Sequence, residues 1–210
     1  MTRSRCILAH VRAATQGLTV QASNCHPFRR GELAFMHNGD IGGFEKLRRA
    51  LLNGLTDQSF DQIRGSTDSE HLFALICDRL DASTETDPLR RMVGAMRESI
   101  ARVRAAPGQH APEEFLYLNL VLSDGTRAVA ARYTTDAEGG TPTASTSTAG
   151  AATSAEGRAP VTWWPRERTK ARSLVASEPL SRDEGWEKVP VGSFVTVDSD
   201  LSTDRELVGV

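Results

Sequence analysis

The sequence predicts an α+β fold built on antiparallel sheet, because strand-like segments open the chain, helix-like segments fill its middle and strand-like segments return afterwards. A parallel sheet would require strands and helices to alternate, and neither such alternation nor an internal repeat is visible. The chain has 210 residues, of which 39% are hydrophobic, as expected for one globular domain with an ordinary core. We therefore expect a single domain over residues 1–210.

Two strands are predicted near the start of the chain. The run from Ile7 to Arg12 is typical of a buried strand, and the run from Glu32 to Met36 is typical of a second one. Between them, the segment from Ser23 to Arg30 contains Pro27 and predicts an irregular connection.

Three helices are predicted in the middle of the chain. After Gly42-Gly43 apolar residues recur at helical spacing from Phe44, and a second such pattern begins at about Asp68. The third helix is indicated by Asp87 as its N-cap and Pro88 at its first position. The predicted apolar faces are Phe44, Leu47, Leu51 and Leu55, then Leu72, Leu75, Ile76 and Leu80, then Leu89, Met92, Val93, Met96, Ile100 and Val103.

Strand patterns return in the second half of the chain. Phe115 to Leu122 is strongly strand-like, and Asp124-Gly125 predicts a two-residue hairpin turn into a strand from Arg127 to Tyr133. Two shorter strands are predicted from Ser173 to Ala176 and from Ser193 to Val197.

Residues 134–160 interrupt this pattern. They contain no Val, Ile, Leu, Met or aromatic residue and consist mainly of Ala, Thr, Ser, Gly and Pro. Such a composition cannot bury enough apolar surface to offset the entropy of ordering the chain. We expect a disordered low-complexity insertion within the domain.

The composition argues against several classes of partner. The formal net charge of −2 gives no electrostatic reason to bind nucleic acid or an anionic membrane. No apolar run approaches the roughly 20 residues needed to span a bilayer, and the N-terminus lacks the pattern of a signal peptide. Basic residues after Trp163-Trp164 could bind a polyanion, but this charge balance favours two tryptophans packed at a solvated strand edge. A cytoplasmic location is expected.

No metal or other cofactor is expected. The five histidines lack the spacing of metal ligands, such as His-x-x-x-His. The three cysteines, Cys6, Cys25 and Cys77, are odd in number and form no Cys-x-x-Cys pair, so a disulfide framework is not expected either.

The dipeptide Asn38-Gly39 is a candidate for stabilising a developing oxyanion. An Asn side-chain amide and an adjacent Gly backbone N–H can donate two hydrogen bonds to negative charge on a tetrahedral intermediate. The alternative is structural, because Asn-Gly is the commonest signal of a β-hairpin turn. A helical pattern follows instead of a returning strand, which weakens the hairpin alternative without removing it.

Arg12 and Asp68 are candidates for binding a charged ligand. Arg12 ends an apolar strand, where a guanidinium can capture a carboxylate in bidentate fashion or simply extend into solvent. Asp68 lies in Thr67-Asp68-Ser69-Glu70, a Thr-x-x-Glu capping box that explains the whole block structurally. A functional Asp68 would hold an ammonium group.

Four blocks of sequence are weak signals singly but distinctive in their order and spacing. They are His10-Val11-Arg12-Ala13-Ala14-Thr15, Asn24-Cys25-His26-Pro27-Phe28, Phe35-Met36-His37-Asn38-Gly39-Asp40-Ile41 and Gly65-Ser66-Thr67-Asp68-Ser69-Glu70. Together they resemble the class II glutamine amidotransferases, which are N-terminal-nucleophile hydrolases. Within that family, Leu174 to Leu180 with Trp186 and Val189-Pro190 resembles the fungal amidotransferase-like subunit of the glutathione-degradation complex.

The resemblance implies an αββα sandwich of antiparallel sheets and a role for each motif residue. Asn38 and Gly39 would form the oxyanion hole. Arg12 would bind the substrate α-carboxylate with Thr15 lining the pocket beside it, and Asp68 would bind the α-ammonium group. The implied chemistry is attack on a γ-amide, formation of an acyl-enzyme and its release by water or an amine. The implied substrates are glutamine or glutathione, and a partner subunit is implied as well.

One family feature has no match in the sequence. The family nucleophile is a cysteine at the mature N-terminus, and a strand and a Gly-rich loop separate it from the segment that matches Ile7 to Arg12. Thr2 runs directly into the wrong strand, and Cys6 lacks a free α-amine. We therefore expect the cysteine and its strand to lie upstream of this chain, and the chain by itself to lack amidase activity. The alternative is an inactive protein that binds a γ-glutamyl ligand or a protein partner.

Overall fold

The computed structural model describes residues 6–10, 22–106, 115–136, 163–165, 173–176 and 186–210. Within these ranges the chain combines antiparallel strands with helices, which confirms the predicted α+β class. The strands are β1 (Phe28–Arg30), β2 (Leu33–Ile41), β3 (Leu116–Ser123), β4 (Ala128–Thr134), β5 (Trp163–Pro165), β6 (Trp186–Lys188), β7 (Ser193–Val197) and β8 (Thr203–Leu207). The helices are α1 (Phe44–Leu52), α2 (Asp57–Phe60), α3 (Asp68–Ala82) and α4 (Pro88–Arg104), and a short 3-10 helix spans Ala22–Asn24.

Six of the strands form one antiparallel sheet in the order β1-β2-β3-β4-β7-β8. Alternate side chains of these strands point to the same face, and helices α1, α3 and α4 cover that face to form the main core. Phe35 of β2 stacks on Phe73 of α3 with 5.4 Å between ring centroids. The sheet and these helices therefore form two adjacent layers.

The opposite face of the sheet carries a second, smaller apolar cluster. Ala130 of β4 and Val195 of β7 are buried there against Val189, which follows β6. Val121 and Val175 pack against this cluster and are partly buried. The segment that leads out of the two-stranded sheet β5-β6 thus packs on the face away from the helices.

The starts of the three predicted helices agree with the structure, but α1 ends at Leu52, before the predicted Leu55, and the short helix α2 was not predicted. The first predicted helix begins at Phe44, as observed for α1. The third is capped by Asp87, whose carboxylate accepts a hydrogen bond from the backbone N–H of Arg90 at 2.8 Å. For α3, the Thr67 hydroxyl accepts a hydrogen bond from the backbone N–H of Glu70 at 3.2 Å.

Strand β2 is longer than predicted and overturns the hairpin alternative for Asn38-Gly39. Pairing with β3 continues from Ala34 to Ile41, so that this dipeptide lies inside the strand. The apolar run stops at Met36, and for that reason the predicted strand ended there, five residues before the observed end at Ile41. The strand continues because its backbone has a partner strand, whatever the polarity of its side chains.

The turn between β3 and β4 lies one residue later than predicted. The backbone N–H of Asp124 donates to the carbonyl oxygen of Arg127 at 3.3 Å, which leaves Gly125 and Thr126 as the two turn residues. Gly125 has a φ of 87°, a conformation that glycine adopts without steric cost.

Several other strand predictions were incomplete. Residues 23–30 contain β1, and β6 and β8 were not predicted at all. β8 is a mostly exposed polar strand without the apolar alternation on which prediction relies. Residues 173–176 form only an isolated bridge at Ala176, and no strand is assigned to residues 7–10. The remainder of that predicted strand lies outside the described residues, as does most of the predicted insertion at 134–160.

Candidate functional site

Within the part of the chain that the structure describes, the candidate oxyanion dipeptide lies on an edge of the sheet. Pairing between β1 and β2 extends only as far as Phe35, and beyond it β2 is paired on its other side with β3. The backbone N–H of Gly42 points toward β3, where it donates to the carbonyl oxygen of Phe115 at 3.1 Å. Because the N–H groups of a strand alternate between its two sides, those of Gly39 and Ile41 point to the open edge.

Gly39 is required by its contact with the neighbouring strand. A Cβ atom added there would lie 1.7 Å from the carbonyl oxygen of Tyr117 and 3.0 Å from Nε2 of His37. Its φ of 154° is also rarely adopted by residues with a side chain. The glycine therefore has a structural reason to be present, in addition to any role in binding an oxyanion.

Asn38 projects from the face of the sheet opposite to the helices. It pairs with Asn119 of β3, and the side-chain Nδ2 of Asn119 donates to the backbone oxygen of Asn38 at 3.0 Å. The next residue in this row across the sheet is Arg132 of β4. Its buried guanidinium donates to the carbonyl oxygen of Val189 at 2.6 Å, and burial lowers the pKa of Arg132.

Asp68 connects helix α3 to the same edge of β2. Its Oδ2 atom accepts a hydrogen bond from the backbone N–H of Ile41 at 3.0 Å, and Oδ1 accepts one from the backbone N–H of Ser69 at 2.7 Å. The side chain is 18% exposed. A mostly buried carboxylate at a helix N-terminus, held by two backbone donors, suits the binding of a cationic group.

Two residues that sequence analysis did not assign to the site, His37 and Ser69, lie between Asp68 and the oxyanion dipeptide. The His37 ring is buried; its Nδ1 lies 3.0 Å from Oγ of Ser69, and its Nε2 lies 3.2 Å from the carbonyl oxygen of Tyr117. Nδ1 also lies 3.9 Å from Oδ2 of Asp68. The sequence analysis considered His37 only as a possible metal ligand. Its position immediately before Asn38 was the signal that could have identified it as a site residue.

Asp40 adds a second carboxylate to the edge. Desolvation by nearby atoms raises the pKa of Asp40, and the negative charge of Asp68 raises it further, while His37 acts in the opposite direction. Asp40 pairs with Tyr117, whose hydroxyl donates to Asp136 at 3.0 Å. Burial and this bond to a carboxylate raise the pKa of Tyr117 to about 12.

The loop before α3 is organised differently from the predicted capping box. Instead of returning to Thr67, the buried carboxylate of Glu70 accepts hydrogen bonds from the backbone N–H groups of Arg64 and Gly65, both at 2.7 Å. Asn24 accepts another from the backbone N–H of Ser66 at 3.2 Å. The second and fourth motif blocks are thus in direct contact, and the Thr67 half of the predicted box is confirmed while its Glu70 half is wrong.

Cys6 and Cys77 do not lie at the oxyanion dipeptide. Cys6 Sγ is 3.3 Å from Oγ of Ser123, which is four residues from Asn119 along β3 and hence about 13 Å away. Cys77 is buried in the main core, and burial raises the pKa of its thiol to about 12. Cys25 is exposed.

The other predicted site residues, Arg12 and Thr15, lie outside the described residues. The described segment closest to them in sequence ends at His10, whose ring lies 4.3 Å from that of His26. Among the described residues, no group of three or more His, Cys, Asp or Glu side chains is arranged to hold a metal ion. In the same part of the chain no helix is long and apolar enough to cross a membrane.

Comparisons with known proteins identify the family of this chain. Residues 1–204 match the model of the family described as glutamine amidotransferases class-II. The chain is 35% identical to the probable glutamine amidotransferase DUG3 of Saccharomyces cerevisiae in an alignment 216 residues long. This alignment covers 93% of this chain and 58% of that protein. It therefore spans little more than half the length of this curated relative.

Solved structures show the same likeness. A glutamine aminotransferase class-II domain protein from Silicibacter pomeroyi is 28% identical, with a TM-score of 0.63, and the match covers 89% of this chain and 72% of that one. The glutamine phosphoribosylpyrophosphate amidotransferase of Bacillus subtilis is 17% identical, with a TM-score of 0.57, covering 96% of this chain and 34% of that one. At that identity the second likeness concerns the fold alone.

Proposed function

Because this chain belongs to the class II glutamine amidotransferases, we propose that it binds a γ-glutamyl amide at the open edge of β2 and contributes to hydrolysis of the amide. The observation that carries the proposal is the hydrogen bond from the backbone N–H of Ile41 to Asp68. This hydrogen bond holds the Asp68 carboxylate at Ile41, two residues along the edge from Gly39, and so supports a role for Asp68 in binding an ammonium group. Two residues of strand span roughly 6.6 Å, comparable to the length of an extended γ-glutamyl side chain.

The proposed role of Asn38 and Gly39 is to stabilise negative charge on the γ-carbonyl oxygen. Gly39 is exposed, and its N–H is directed away from β3, which supports a donor available to a ligand. The Asn38 side-chain amide would supply the second donor. Donors fixed in this way are effective because they need no reorganisation when the oxyanion forms.

The proposed head-group site uses two opposite charges. Asp68 would accept hydrogen bonds from the α-ammonium group, and Arg12 would bind the α-carboxylate in bidentate fashion, with Thr15 beside it. This pair would recognise the α-ammonium and α-carboxylate groups that glutamine and the γ-glutamyl residue of glutathione share. The resemblance to the fungal amidotransferase-like subunit favours glutathione or a related γ-glutamyl peptide, and a partner subunit, as part of this proposal.

The nucleophile is proposed to be a cysteine at the mature N-terminus of the natural protein. The contact of Cys6 with Ser123 and the burial of Cys77 support the search for a nucleophile elsewhere. An N-terminal cysteine can use its own α-amino group as the base, and water would then release the γ-glutamyl group from the acyl-enzyme.

A second candidate function is binding without turnover. It is favoured by the same two observations on the cysteines, since a protein without a nucleophile could still hold the γ-glutamyl head group between Arg12 and Asp68. In cells such a protein would act through a partner.

The test is an assay of glutamate release from L-glutamine and glutathione by the protein purified from its native source, alone and with its co-purifying subunits. The proposal expects release, and it expects Asn38→Ala to lower kcat by about 10²–10³. Asn53→Ala, at the C-cap of α1, is the matched control and should leave kcat unchanged. Binding of either ligand without glutamate release would establish the second candidate, and absence of binding would overturn both.

A further inference from the structure

The ring of His37 is buried between β2, β3 and α3, and both of its nitrogens are in contact with polar atoms. Nε2 faces the carbonyl oxygen of Tyr117 at 3.2 Å, and Nδ1 faces the hydroxyl of Ser69 at 3.0 Å. Nothing in the oxyanion or head-group roles proposed above uses this ring.

The partners of the ring determine where its proton lies. A carbonyl oxygen only accepts hydrogen bonds, so that Nε2 of His37 must carry a proton in order to bond to Tyr117. In the neutral ring Nδ1 is then an acceptor, and the Ser69 hydroxyl is its donor.

This assignment determines the direction of the Ser69 hydroxyl. Ser69 Oγ also lies 3.2 Å from Oδ1 of Asp68, but a hydroxyl has one proton and cannot donate to both neighbours. The shorter contact is the one to His37 Nδ1. With the proton directed there, Oδ1 of Asp68 keeps only the hydrogen bond from the backbone N–H of Ser69 and retains a lone pair for a ligand.

We infer that Ser69 and His37 are positioning residues that keep Asp68 available to an ammonium group. The His37 ring holds the Ser69 proton away from the carboxylate, and its bond to Tyr117 links the same pair to the strand against which Gly39 packs. These contacts thereby fix the position of the ammonium-binding carboxylate relative to the oxyanion dipeptide. This inference rests on the proposed function of Asp68.

Removal of the Ser69 hydroxyl should change how the His37 ring contacts Asp68. Without Ser69 Oγ, Nδ1 of His37 loses its donor, and the ring can turn or carry its proton on Nδ1, which lies 3.9 Å from Oδ2 of Asp68. An N–H of the protein would then compete with the ammonium group of the ligand for Asp68. The loss should fall only on ligands that carry the α-ammonium group.

The experiment compares binding of L-glutamine with binding of glutaramate, its analogue without the α-amino group, by calorimetry on the natural protein. Ser69→Ala should weaken glutamine binding about tenfold, because a donor from the protein then competes with the ligand for one hydrogen bond to the charged Asp68, and it should change glutaramate binding by less than about twofold. Ser99→Ala is the matched control, because Ser99 is a buried helical serine whose hydroxyl donates to the carbonyl oxygen of Ala95.

A second readout needs no ligand. At pH 8, where an ordinary imidazole is neutral, NMR correlation of ring nitrogens and protons should show His37 with its proton on Nε2, the resonance being assigned by its loss in His37→Gln. A proton on Nδ1, equal weakening of both ligands by Ser69→Ala, or no weakening at all would overturn the inference. Wild-type protein that binds glutamine no more tightly than glutaramate would instead overturn the role of Asp68 itself and, with it, this positioning role.

Discussion

The carboxylate of Asp68 accepts a hydrogen bond from the backbone N–H of Ile41 at 3.0 Å, so that the first residue of α3 is joined directly to the strand that carries the oxyanion dipeptide. The bond joins groups that lie 27 residues apart in sequence. It satisfies an N–H that has no strand partner on that side among the described residues, and it directs a negative charge to this edge of the sheet. Local structure and the proposed ligand site therefore depend on the same contact.

Replacing Gly39 with alanine should disrupt the pairing of β2 with β3. The new Cβ would lie 1.7 Å from the carbonyl oxygen of Tyr117, so one of the two strands must move. We expect the free energy of unfolding to fall by about 3 kcal/mol or more, measured by urea denaturation.

Gly94→Ala is the control for this substitution. Gly94 lies inside α4, and nothing stands within 4 Å of the position that its Cβ would take. Alanine should therefore raise the free energy of unfolding there, by about 0.5–1 kcal/mol. Similar effects of the two substitutions would contradict the close approach of Gly39 to β3.

Replacing Asp68 with asparagine should destabilise the fold as well as weaken ligand binding. Asparagine has one acceptor oxygen, so that either Ile41 or Ser69 would lose the partner of its backbone N–H, and the favourable charge at the helix N-terminus would be lost. We expect a loss of about 1–2 kcal/mol in the free energy of unfolding. Asp57→Asn, at the exposed start of α2, should change it by less than about 0.5 kcal/mol, and a loss equal to that at Asp68 would count against this account.

The sequence indicated Asp68 and Asn38-Gly39 as candidates through the order and spacing of their motif blocks, since each block alone also has a structural explanation. The structure places both residues where β2 meets α3. What the sequence missed depends on pairing between distant segments. Strand β2 extends past its apolar run because β3 pairs with it, and the contacts of His37 with Ser69 and Tyr117 have no local pattern.

The cysteines should differ sharply in reactivity. Cys77 is 1% exposed, and burial raises the pKa of its thiol to about 12, whereas Cys25 is exposed. At pH 8 the smaller thiolate fraction alone should slow alkylation of Cys77 by about 10³-fold relative to an ordinary thiol. Mass spectrometry after iodoacetamide treatment should find Cys25 modified in the native protein and Cys77 modified only after unfolding; modification of both at equal rates in the native protein would contradict the burial of Cys77.

His71 should make the protein less stable in mildly acidic solution. Burial lowers the pKa of His71 and the charge of Arg48 adds to this, although the bond to the carbonyl oxygen of Thr67 acts in the opposite direction. The unfolded chain therefore takes up a proton near the ordinary pKa of about 6.5 before the folded chain does. The free energy of unfolding should fall as pH decreases below that value, by at most about 1.4 kcal/mol per pH unit for this group.

The measurement for His71 is urea denaturation between pH 5 and pH 8 for wild type and His71→Gln. The substitution removes the titrating ring, so that the difference in stability between the two proteins should shrink as pH falls. A difference that stays constant over this range would show that His71 does not titrate differently in the folded and unfolded chains.

Asp78 should contribute stability that disappears in strong acid. Burial alone would raise the pKa of this carboxyl, but hydrogen bonds from the backbone N–H of Thr56, from Arg79 and from the Thr56 hydroxyl outweigh burial and lower the pKa to about 2. The ordinary value in an unfolded chain is about 3.9. Since the folded pKa is the lower one, the contribution is complete above pH 4 and is lost as pH falls from about 4 to about 2, with a total of about 2–3 kcal/mol.

Asp81→Asn is the matched control, because Asp81 lies one turn further along α3 and its ion pair with Arg30 is partly exposed, which limits the contribution to at most about 1 kcal/mol. Denaturation between pH 2 and pH 5 should show a steep loss of stability in wild type and in Asp81→Asn, and a shallower one in Asp78→Asn. If Asp78→Asn lost stability as steeply as wild type, the acid sensitivity would have to arise from another carboxyl. The bonds to Thr56 would then hold α2 against α3 equally well with a protonated Asp78.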